Sequence, residues 1–234
     1  MEYLAAAFQA AFELIVSFDA DLWEIVALSL RVSLSAVLIA ALIGLPLGAA
    51  VALFSFPGRG ALIVVLNALM GLPPVVVGLV VYLFLSRAGP LGVLNLLFTP
   101  TAMIIAQVVL VLPIVAALTR QVIEDLWGEY REQFVSLGAG PARAIPTLLW
   151  DGRITLVTAV LAGFGRASAE VGAVMIVGGN IDHVTRVMTT TIALETSKGA
   201  LPLALGLGIL LLLLTLLINA AAEGVRRYAR AQLV

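Results

Sequence analysis

Ionisable side chains are rare in the apolar stretches of this 234-residue chain, and the few found there are the first candidates for chemistry. Arg166 and Glu170 lie four residues apart, a spacing that places both on one face of a continuous helix. An ionised group inside an apolar phase costs at least about 2–3 kcal/mol unless it is paired or wet. Two arrangements offset that cost: an ion pair that pins helices or the halves of a dimer, or a polar face that lines a pathway. Pro73-Pro74 removes two backbone donors, and Pro74 is expected to free a carbonyl near Met70. Flanked by Gly71 and Gly78, the pair reads as a kink, serving either as a gate or as a static packing feature. Small residues recur at four-residue intervals as Gly165, Ala169 and Ala173, and as Ser168 and Gly172, which predicts a closely packed helix at a dimer axis or within one chain.

His183, the single histidine, stands beside Asp182 in a polar loop. One His and one Asp are too few for the usual metal coordination, so His183 reads as a surface residue and no metal site is expected. Thr189-Thr190-Thr191 with Arg186 reads as ligand or partner contact, or as a helix cap. The chain has no G-x-x-x-x-G-K-[ST] phosphate loop, no H-E-x-x-H, no G-x-S-x-G and no cysteine. It is expected to be no enzyme and to bind no cofactor itself.

The elements that carry these residues follow from composition. The chain is 62% hydrophobic and only 12% charged, with a mean hydropathy of +1.14. A soluble domain is about a quarter charged, so the surplus apolar surface must face lipid. A net charge of −1 supplies no basic field for nucleic acid. A helix needs about 20 mostly apolar residues to cross the hydrocarbon, and five stretches qualify: residues 25–54, 62–85, 101–122, 154–177 and 201–222. The apolar residues 4–17 are too short to span and predict an interfacial helix. Met1-Glu2-Tyr3-Leu4 lacks the positive start of a signal peptide, so the first 20 residues are expected to be retained. The predicted class is all-α and integral to the membrane: an N-terminal interfacial helix over 1–23, a transmembrane domain over 24–222 and a tail over 223–234.

Residues 123–153 form the longest polar stretch. Leu126, Tyr130, Phe134 and Leu137 mark one apolar helix face; Gly138-Ala139-Gly140 ends it, and Pro141 suits the first position of a second helix, kept short by Pro146. Placing this stretch in the cytoplasm puts Arg59, Arg120, Arg131, Arg143, Arg153, Arg226, Arg227 and Arg230 inside, against Arg87, Arg186 and Lys198 outside. The N-terminus then faces out and the C-terminus in. The stretch reads as a docking knob for a soluble partner or as an ordinary loop with interfacial helices.

Glu132-Gln133-Phe134 with Gly138 resembles the EAA loop of ABC importer permeases, with Gln133 and Phe134 in place of two alanines and no proline at Leu148-Leu149-Trp150-Asp151. The resemblance implies a type I importer permease fold in a homodimer. Its partners would be two ATP-binding subunits on the cytoplasmic face, which use ATP and Mg, and an extracytoplasmic oxyanion-binding protein. It assigns contact with the ATPase to Glu132, Gln133, Phe134, Gly138, Ala139, Gly140, Pro141 and Arg143. Leu72 to Gly78, Gly89 to Gly92 and Gly165 to Ala173 are similar to permeases for molybdate, tungstate and sulfate; Val177 to Ile181, Thr185 to Thr191 and Glu195-Thr196 are closest to the tungstate branch. The candidates for a pathway or gate are Arg166, Glu170, Pro73, Pro74 and Asn180; in the pathway arrangement Arg166 would attract a dianion and Glu170 would limit how tightly it binds, and in the other the two form a structural ion pair. Molybdate or sulfate transport is the near alternative. An ion-driven transporter with inverted repeats is the distant one, and no internal repeat is found. A membrane-embedded enzyme would need a cluster of ionisable groups that the spans do not offer.

Overall fold

The computed structural model describes residues 8, 9, 12, 13, 16, 17 and 19–231; the interfacial helix expected over 4–17 falls largely outside the described residues. Those residues are all-α apart from one 3-10 turn at Gly92–Leu94. The helices are α1 (Ala20–Leu53), α2 (Arg59–Leu69), α3 (Pro74–Leu85), α4 (Pro100–Ser136), α5 (Pro141–Asp151), α6 (Arg153–Ser168), α7 (Gly172–Gly178), α8 (Met188–Lys198) and α9 (Leu201–Ala231).

Length and hydropathy make α1, α4 and α9 long enough to cross a membrane singly, while α2 with α3 and α5 with α6 pass only as bent pairs. The protein is an integral membrane protein with several long apolar helices. At about 1.5 Å per residue, the 37-residue α4 is about 55 Å long, well beyond the roughly 30 Å of hydrocarbon. Its first two-thirds are apolar and its end carries Glu124, Asp125, Glu129 and Glu132, so one rod joins the expected third span to the polar knob.

Two expected spans are interrupted. The second is divided at 70–73, where Pro74 begins α3 and Pro73 is extended at φ −65°, ψ 120°. A proline disfavours helical backbone in the residue before it, so the pair produces a break and not the expected kink. Single prolines behave otherwise: α1 and α4 run unbroken through Pro46 and Pro113. The fourth span is divided at Ala169-Glu170-Val171, between α6 and α7.

The chain forms two compact units: one of residues 1–35, 73–107 and 168–219, the other of residues 36–72, 108–167 and 220–234. In the first, α1, α8 and α9 share a core of Leu22, Val26, Met188, Leu207 and Leu210, and α3 packs along α7. In the second, Ala49, Ala52 and Leu53 of α1 pack with Ile123 of α4 and with Ala144 and Leu148 of α5. Small residues set the close approaches. A Cβ on Gly48 would lie 2.4 Å from the Ala116 carbonyl oxygen, so α1 and α4 touch backbone to backbone. Gly163 presses on Val111, whereas Gly165, expected in the packed stripe, meets nothing within 4 Å.

Candidate functional site

Within the second unit, the polar knob is built as its local sequence dictates. Gly138 adopts φ +68°, a conformation open to glycine without the clash a Cβ brings. Its N–H bonds the Val135 carbonyl at 3.0 Å, and the Ala139 N–H bonds the Phe134 carbonyl at 2.8 Å, which closes α4. Gly140 then caps α5 and Pro141 takes its first position. The Arg143 and Ala144 N–H groups return to the Gly140 carbonyl at 3.0 and 3.2 Å. α5 and α6 meet at 79° about Gly152, where a Cβ would lie 3.0 Å from Leu126 Cδ1.

The end of α4 and α5 enclose a groove of about 430 Å³ whose lining includes Tyr130, Gln133, Phe134, Leu137, Leu148 and Trp150. Phe134 is half-buried and tilted against Trp127 at 5.8 Å, leaving Glu132 and Gln133 exposed beside it. Leu137 and Trp150 are 81% and 70% exposed. The groove thus combines exposed apolar side chains with Gln133 and Asp151, and Glu132 and Arg143 are exposed on the same two helices. Trp150, held under the Arg153 guanidinium at 4.6 Å, is a groove residue that motif reasoning missed. An aromatic in a polar segment was its only signal.

The pathway candidates separate at the breaks. Arg166, in the last turn of α6, donates from Nη2 to the Leu72 carbonyl at 3.4 Å, immediately before Pro73. Glu170 does not continue that helix, because the chain leaves helical geometry at Ala169. The continuous helix that the four-residue spacing presupposed therefore ends between the two residues.

In the first unit, Glu170 is 3% exposed, and its Oε1 accepts the Ala173 N–H at 2.9 Å in the first turn of α7. Its carbonyl accepts from Thr189 Oγ1 at 2.7 Å. Pro73 and Pro74 begin α3 alongside, where Val75 would meet a Cβ on Gly172 at 2.9 Å. Asn180, at φ +49°, accepts from Thr190 Oγ1 at 2.8 Å through Oδ1. Thr190 and Thr191 are buried at the start of α8, with the Val187 N–H on Thr190 Oγ1 at 3.2 Å and Thr191 Oγ1 on the Val187 carbonyl at 2.8 Å. Of the three threonines, Thr190 caps α8, while Thr189 bonds the Glu170 carbonyl.

At the start of α1, Asp19 accepts the Leu22 N–H at 3.0 Å, and Glu24 reaches across the sequence to His183 Nδ1 at 2.8 Å. That hydrogen bond, then the charges of Asp182, Glu24 and Asp21, hold the His183 pKa above its ordinary value, with burial pulling slightly the other way. Asp21, Glu24 and His183 each bring a ligand-type atom within 4.8 Å of the others, a gathering that counting loop residues did not foresee. All three are exposed, and Glu24 already occupies the histidine's Nδ1. The group acts as a polar bridge between α1 and the loop before α8.

Residues 44–231 match the family described as "Binding-protein-dependent transport system inner membrane component". The chain is 46% identical over 220 residues to the tungstate uptake system permease protein TupB of Peptoclostridium acidaminophilum, covering 94% of this chain and 96% of that protein. It is 42% identical to a probable anion ABC transporter permease protein of Haloferax volcanii, covering 87% and 90%. It is 35% identical to the tungstate uptake system permease protein TupB of Campylobacter jejuni, covering 74% and 73%.

Proposed function

The chain belongs to the family of binding-protein-dependent transport system inner membrane components, and on that premise we propose that it forms the membrane path of an ATP-driven tungstate importer. The observation that carries the substrate is the 46% identity, along nearly the whole length, to a protein named for tungstate uptake. The second such protein supports the same assignment.

In this reading the chain crosses the membrane about five times, over residues 25–54, 62–85, 101–122, 154–177 and 201–222, in a type I importer fold. Residues 24–222 are the permease domain, preceded by an interfacial segment and followed by a cytoplasmic tail. The excess of arginine around residues 120–153 supports a cytoplasmic knob, an outside N-terminus and an inside C-terminus. Two copies of the chain pair with two ATP-binding subunits and an extracytoplasmic binding protein that delivers the anion. ATP and Mg belong to the ATPase, since this sequence has no phosphate loop.

Glu132, Gln133 and Phe134 on α4, the Gly138-Ala139-Gly140-Pro141 turn and Arg143 on α5 form the contact with the ATPase. When ATP binding draws the ATPase subunits together, the groove is displaced, and α4 carries that motion along its continuous length. Pro73 and Pro74, Arg166 and Glu170 stand at or beside the two breaks, where the spans leave helical geometry. Arg166 supplies attraction for the anion, Glu170 stabilises the start of α7, and Asn180 secures the loop that follows.

The deciding experiment is ATP-dependent uptake into vesicles holding the chain, its ATPase and the binding protein, with tungstate, molybdate and sulfate in competition. Preference for tungstate supports the assignment. Preference for molybdate or sulfate corrects the substrate, and no ATP-dependent uptake by an intact complex overturns it.

A further inference from the structure

α1 ends at Leu53, and the last carbonyls of a helix have no partner inside it. Arg59, six residues on, supplies the partners: Nε donates to the Val51 carbonyl at 2.8 Å, and Nη2 to the Ala52 carbonyl at 3.2 Å. Nη2 also meets Glu124 Oε1 on α4. The other carboxylate oxygen, Oε2, takes Nη1 of Arg120, one turn earlier on the same helix. One carboxylate thus joins two guanidiniums, and one guanidinium joins α4 to the end of α1.

The surroundings make this a mechanical joint. Arg59 and Glu124 are about two-thirds buried and Arg120 is 11% exposed, so the pairing is shielded more than a surface ion pair. Next to Glu124, Ile123 enters the core shared by α1, α4 and α5, and Phe134 of the groove packs on that core. At Gly48 the two backbones leave no room for sliding without separation. Guanidinium geometry is required, because a lysine ammonium cannot present a planar fork to two carbonyls and a carboxylate together.

We propose that the Arg59–Glu124–Arg120 cluster is the positioning element that couples the groove to the first span, staying closed through the transport cycle so that α1 moves with α4 and α5. The proposal rests on the permease reading. None of the three residues faces the groove, so their effect falls on transmission and not on docking of the ATPase.

The chain has no cysteine, which permits a direct test in the reconstituted complex. Glu124→Gln is expected to assemble with its partners at the wild-type level yet lower anion uptake per ATP hydrolysed at least fivefold. The double variant Arg59→Cys with Glu124→Cys is expected to show the same loss, and to regain at least half of the wild-type ratio when a short thiol-reactive spacer links the two positions. A ratio within twofold of wild type in Glu124→Gln, or no recovery on linking, overturns the proposal. Failure of both variants to assemble assigns the cluster to folding alone and overturns it too. A wild-type complex without ATP-driven uptake removes the permease reading and this proposal with it, an outcome distinct from an active wild type with unaffected variants.

Discussion

Gly78 of α3 lies so close to Ala173 of α7 that a Cβ on the glycine would stand 2.7 Å from the alanine Cα. Both helices begin directly after an interruption in a span, so the two broken segments pack on each other. Without a hydrophobic drive between helices in lipid, such approach rests on van der Waals contact and on small residues that permit it. Gly78→Leu is expected to destabilise the protein by about 1–3 kcal/mol through overpacking. Unfolding in mixed detergent checks this, with Gly165→Ala, which meets open space, showing no loss.

The groove predicts a docking variant that leaves the fold intact. Leu137 is 81% exposed and supports no core, so Leu137→Glu is expected to preserve stability. Placing a charge in an apolar anchor position should weaken binding of the ATPase by about 2 kcal/mol, roughly thirtyfold. Titration of the ATPase onto the protein in nanodiscs measures it. An unchanged affinity removes Leu137 from the interface.

Arg166, in the last turn of α6, donates to the Leu72 carbonyl at 3.4 Å. If its charge serves the anion, Arg166→Gln lowers uptake about tenfold or more at equal expression, while Arg166→Lys retains a larger share. Normal uptake by the Gln variant discards the pathway role and leaves Arg166 as a fastening at the break.

His183 gives a pH-dependent contact. Its pKa is raised above 6.5 in the folded protein, chiefly by the Glu24 hydrogen bond, with Asp182 and Asp21 adding charge and Arg186 paired to Asp182 at 2.6 Å. A raised folded-state pKa means that the stabilisation is complete below the unfolded value and lost as pH rises through the folded one. The bridge between α1 and the loop before α8 is therefore expected to weaken as pH rises through that raised value. Because His183 is the only histidine, one NMR titration reads it directly. Glu24→Gln should move the midpoint down toward 6.5, and an unmoved midpoint would assign the shift to another cause.

The shape of the polar knob was legible because its signals are local. Gly138 is placed by its own φ, and Pro141 by its fixed φ and missing N–H, so both act within a few residues of chain. The helix break between Arg166 and Glu170 was not legible, for the opposite reason. Four-residue spacing implies a shared face only if the helix continues, and hydropathy over residues 154–177 stays high across a break that it does not sense. Glu170 instead serves the Ala173 amide, as a cap freed from helical geometry can.

Sequence alone determined that the protein lives in a membrane and where its polar knob lies, because transfer of side chains from water to lipid adds up residue by residue. Only the tertiary structure decided where two spans stop being helices and which distant groups meet there. Glu24 finds His183 across 159 positions, and Arg59 finds Glu124 across 65. A polar side chain takes its partner from whatever the fold brings near it, and no local pattern along the chain records that choice.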